Sequence, residues 1–92
     1  MNAEETAQDH REEVRRQVRA MLAGRPSTAH RASYVRHRIN SDTGERYTDD
    51  EVDAAISFLQ KAGQIEFEEE SLGATKYWKI TAAGILAHER GH

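Results

Sequence analysis

Cysteine is absent from the 92 residues, and proline and tryptophan occur once each. Without thiols the chain can build neither a disulfide framework nor a thiolate zinc site, which fits a reducing cytoplasm. No apolar run approaches the roughly 20 residues that cross a bilayer, and the opening "MNAEETAQDHREEVRR" has no apolar segment behind a basic start. The sequence therefore predicts a soluble cytoplasmic protein with no membrane partner. A glycine-rich phosphate loop is also missing, and Ser27, Ser33, Ser41, Ser57 and Ser71 stand in no nucleophile-elbow context. With 37% hydrophobic residues the chain can fill one small core, and any cleft on it is shallow. These absences predict a binding protein, not an enzyme, with no catalytic residues and no cofactor.

One motif invites the opposite conclusion. "HERGH", residues 88–92, spells H-E-x-x-H, which on a helix sets two imidazoles one turn apart around zinc. Gly91 interrupts the helix that this chemistry needs, and no third ligand follows. His30 and His37, seven apart, have no third ligand at useful spacing and read as surface or packing histidines. No metal site is expected.

Charge is present in quantity and divided by sign. Residues 10–47 carry nine arginines against four acids, net +5, whereas residues 48–92 carry four basic residues against nine acids, net −5. Such polarity points to a polyanion or a charged protein as partner.

Periodicity orders the chain. Residues 1–9 lack large apolar side chains and are expected as a flexible tail before a domain over 10–90. Val14, Val18, Met21 and Leu22 form the stripe of a first helix from about His10, which Gly24-Arg25-Pro26 ends. Its other faces carry Arg11, Arg15, Arg16 and Arg19. A second, basic helix turns Ala32, Val35 and Ile39 inward and Arg31, Arg36, His37 and Arg38 outward. The turn formers of "NSDTGER" predict a loop of eight residues, 40–47. Thr48 with Glu51 makes a capping box, and Tyr47 with Val52 a hydrophobic staple, so a third helix starts at Thr48. Val52, Ala55, Ile56 and Leu59 continue it to Gly63. Ile65 and Phe67 then alternate with Glu66 and Glu68 in one strand of a hairpin. Trp78 and Ile80 face inward on the returning strand, with Tyr77 and Lys79 opposite. Thr81 caps a short last helix that buries Ile85 or Leu86. The expected core is Val14, Val18, Leu22, Val35, Ile39, Val52, Ile56, Leu59, Ile65, Phe67, Trp78, Ile80 and Leu86.

The third helix, "LQKAGQIEF", a variable tip, "YWKIT" and "AAG" resemble the winged helix-turn-helix superfamily, and locally the PadR and MarR regulators. The resemblance covers residues 48–84 closely and 10–47 by helix count. It implies a single α+β domain, mostly helical, with three helices, a two-stranded β-hairpin wing and a short C-terminal helix. It also implies a DNA-binding transcriptional regulator, binding double-stranded DNA and dimerising through the first and last helices. The third helix of such proteins enters the major groove. Here it offers Asp49, Asp50, Asp53, Ala54 and Ser57, and the wing adds Glu66, Glu68, Glu69 and Glu70 to Lys76 and Lys79. Acids of this density oppose phosphate, although those of the first turn also complement the helix dipole. The arginines are then the better phosphate ligands, because the guanidinium fork matches the oxyanion. The candidate nucleic-acid residues are Arg15, Arg16, Arg31, Arg36, Arg38, Ser57, Lys76, Tyr77 and Lys79. The alternative is a protein-interaction adaptor of the same fold, using the acidic third helix and wing or the basic first two helices.

Overall fold

The chain folds in the order α1 (Ala3–Ala23), β1 (His30–Arg31), α2 (Ala32–Thr43), α3 (Asp49–Lys61), β2 (Ile65–Glu69), β3 (Lys76–Ile80) and α4 (Ala82–Glu89). This is a computed structural model that describes residues 3–69 and 75–91. α1 begins at Ala3, not near His10. The apolar stripe that marks a helix in sequence starts only at Val14, so the polar turns ahead of it carry no such signal.

Val14, Val18 and Leu22 of α1 pack with Val35 and Ile39 of α2, with Val52, Ala55, Ile56 and Leu59 of α3, and with Ile65, Trp78 and Ile80 of the sheet. Two expected core members lie outside. Phe67 is 44% exposed and Leu86 49% exposed. Phe67 shares the inward side with Trp78, its cross-strand partner. It stands on the edge strand β2 while Trp78 stands on the central strand β3, so Trp78 is covered and Phe67 is left half open. On α4 the buried position belongs to Gly84, with Ile85 packed against the core. A Cβ at Gly84 would come within 2.1 Å of the Gln64 carbonyl oxygen. Tyr47, just ahead of α3, joins the core, 5% exposed.

The sheet has three strands in the order β1-β3-β2, all antiparallel. β1 was not expected, since two residues are too few to show alternation. The α2–α3 connection also differs from expectation. Asn40, Ser41, Asp42 and Thr43 are helical, and Gly44 ends α2 at φ 76 in the left-handed region that favours glycine. Asn40 then donates from Nδ2 to the Tyr47 carbonyl at 3.0 Å, and its Oδ1 accepts the Tyr47 amide at 3.0 Å. The expected capping box forms: Thr48 Oγ1 accepts the Glu51 amide at 3.2 Å and the Thr48 amide reaches Glu51 Oε1 at 3.4 Å. Thr81 caps α4, accepting the Gly84 amide at 3.1 Å while donating to the Gly63 carbonyl at 2.7 Å.

Candidate nucleic-acid interface

The candidate cations divide into those held by acids and those that are not. On α1, Arg16 pairs with Glu13 one turn earlier. On α2, Arg38 Nε pairs with Asp42 at 3.2 Å, which holds the guanidinium pKa above its ordinary value through that hydrogen bond. Arg36 Nε lies 2.5 Å from Asp49 at the start of α3, an ion pair not aligned as a hydrogen bond. On the wing, Lys79 meets Glu68 at 3.0 Å, which raises its pKa. Lys76 sits over the Phe67 ring at 5.4 Å. Ser57 is exposed on α3. Arg15, Arg25 and Arg31 take no part in the ion pairs of the described residues.

These three arginines do not lie together. Arg15 covers the Phe58 ring at 3.6 Å and, with Arg16, lines a cleft against Leu59 and Gln64. Arg31 lies 5.8 Å from the Tyr77 ring, its cross-strand partner. With Arg25 it lines an open cleft of about 550 Å3 that also holds His30, Tyr34, His37 and Tyr77. Tyr34, 42% exposed, stacks on buried His30 with ring centroids 5.3 Å apart. Burial first, and then Arg25, push the His30 pKa below 6.5. Such a cleft can hold phosphate on its guanidinium groups and stack a planar ring on Tyr34.

Sequence reasoning missed Arg25 and Tyr34 as members of this group. In the sequence Arg25 stands out only as part of the helix stop Gly24-Arg25-Pro26. Tyr34, His37 and Arg38 stand at i, i+3 and i+4, a basic and aromatic stripe that was legible in principle. Arg19 is a further surprise: placed on an outer face by periodicity, it is 4% exposed.

The face of α3 that the resemblance assigns to reading bases is acidic as expected. Asp49, Asp50, Asp53, Ala54 and Ser57 are exposed there, beside Phe58. Glu51 is bound to His10 of α1, and that hydrogen bond holds its carboxyl below the ordinary value. α4 ends at Glu89 and Gly91 has φ 75, so the helix does not continue toward His92, which lies outside the described residues. Among the described residues no helix is long and apolar enough to cross a membrane.

No protein-family model matches the chain, and no curated protein is similar to it in sequence. Among solved structures, that of a transcriptional regulator from Clostridium thermocellum, Cth-833, is similar over 99% of this chain and 84% of its own, with 18% identity and a TM-score of 0.76. The apo form of a ZitR variant from Lactococcus lactis is similar over 94% of this chain and 61% of its own, with 13% identity and a TM-score of 0.63. At such identities the likeness is one of fold. With helix, short strand, two helices, wing and closing helix in this order, the chain carries the winged helix-turn-helix fold.

Proposed function

We propose that this protein is a non-enzymatic, cytoplasmic DNA-binding regulator that takes the phosphate backbone of double-stranded DNA on the cleft between α2 and the β1–β3 edge. The observation that carries this is the placement of Arg25 and Arg31, outside the described ion pairs, in one open cleft with His37, Tyr34 and Tyr77. Arg38 borders it through Tyr34, and Lys76 extends cationic character along the wing. Arg36, Arg38 and Lys79 are already matched by acids and contribute less. The fold shared with a transcriptional regulator supports the same function. A homodimer is the assembly that the resemblance implies, and exposed Leu86 on α4, which packs beside α1, is the apolar side chain it would cover.

Fluorescence titration of a random duplex at two salt concentrations tests the proposal. Binding at low ionic strength should weaken steeply with salt, because each phosphate neutralised releases counterions. No binding by micromolar protein at low ionic strength overturns it. A protein partner then becomes the better reading, on the exposed acidic face of α3.

A further inference from the structure

Arg19 has been left without a role. Its side chain is 4% exposed, its Nη1 donates to Gln64 Oε1 at 3.0 Å, and its Nε is buried with no hydrogen-bond partner. A guanidinium has five N–H donors, and buried charges are normally matched by an opposite charge. Here Arg19 takes part in no ion pair among the described residues. Burial first, and then Arg16, push the Arg19 pKa down. Arg15, Arg16, Arg19 and Gln64 line one cleft of about 430 Å3, bounded by α1, the end of α3 and Gly91. Glu12 also lines it, one negative charge against three guanidinium groups, with its Oε1 accepting from Gln8 at 3.0 Å, and Glu13 pairs with Arg16.

We propose that this cleft binds a small oxyanion, a carboxylate or phosphate group held by Arg19 and Gln64 at its floor and by Arg15 and Arg16 at its sides. The site is separate from the α2–β1–β3 cleft and does not depend on DNA binding. Its position matters for the fold around it. The Gln64 carbonyl accepts the Thr81 amide at 3.0 Å and lies against Gly84, so an anion anchored on Gln64 is anchored on the junction of α3, the wing and α4. Occupancy would stiffen that junction.

The test follows the Arg19 Nε–H resonance of 15N-labelled protein during titration with inorganic phosphate, with succinate, and with chloride at equal ionic strength. The resonance should move saturably with one or both oxyanions and not with chloride; which oxyanion saturates first separates phosphate from carboxylate ligands. At about ten times the dissociation constant the melting temperature should rise by on the order of 5 °C, and Arg19→Met should lose that rise. Should Arg19→Met fail to fold, the Arg15→Gln, Arg16→Gln pair keeps the buried residue and should need at least about tenfold more anion to saturate. An equal response to chloride, an undiminished rise in Arg19→Met, or unchanged saturation in the glutamine pair overturns the site.

Discussion

α2 and α3 are neighbours in sequence and touch in space, yet they present opposite surfaces. α2 turns Arg36, His37 and Arg38 outward, while α3 shows Asp49, Asp50 and Asp53. Their buried sides are alike, each giving aliphatic residues to the same core. The difference shows that a fold constrains the inner stripe of a helix and leaves the outer one to other demands. For α3 part of that demand is local: acids in the first turn complement the helix dipole and complete the cap. Asp53 lies past that turn, so its charge bears on what the helix can approach.

The strongest way to break the comparison is to remove what the two helices share. Leu59→Ala, on the buried side of α3, should cost about 2–5 kcal/mol, close to the stability of a domain this small. Denaturant unfolding checks it, and a midpoint near that of the wild type would contradict the core described above. Next, Arg25→Ala with Arg31→Ala should lower duplex affinity by on the order of 10–100-fold and flatten its salt dependence by about two phosphates. Titration at several salt concentrations measures both. Thr48→Ala removes the acceptor for the Glu51 amide and should cost about 1 kcal/mol, read by thermal melting.

The acidic side gives smaller, opposite effects. Replacing Glu68, Glu69 and Glu70 by Gln frees Lys79 from Glu68 and should leave duplex affinity unchanged or raise it a few fold. Loss of binding to a protein partner in the same variant would assign that partner to the wing. The smallest effect is with pH. The His30 pKa is lowered on folding, so its contribution to stability is complete above 6.5 and is lost as pH falls below that value. Glu51 adds a loss at lower pH, below 4.5, as its folded-state carboxylate is protonated. Melting temperatures between pH 7.5 and 5.5 should therefore fall, and His30→Gln should flatten that stretch of the curve.

Much of this was legible in the sequence because local chemistry and global fold agree there. "YTDDEV" specifies a cap that needs no tertiary partner, and the stripes on α1 and α3 report burial directly. What remained hidden depends on where elements end in space. Alternation places Phe67 on the inward side of the hairpin but cannot say that its strand is the edge of the sheet. The polar faces of α1 looked equivalent until Gln64 and Leu59 enclosed Arg19. The cleft with Arg25 and Arg31 requires β1 to pair with β3, and two residues leave no periodic trace.

The bonds between Asn40 and Tyr47 have a mechanical consequence. One amide side chain closes a ring with the backbone seven residues on, acting as a hinge pin between the helix of arginines and the helix of aspartates. The path of the chain from the positive pole to the negative one is thus held, beside the shared core, by a donor and an acceptor in a single plane. Asp or Leu at position 40 would keep one of these or neither. With the pin loosened, the shared aliphatic core and the Arg36–Asp49 pair would still join the two helices, and the loop between them would lose the bonds that fix its path.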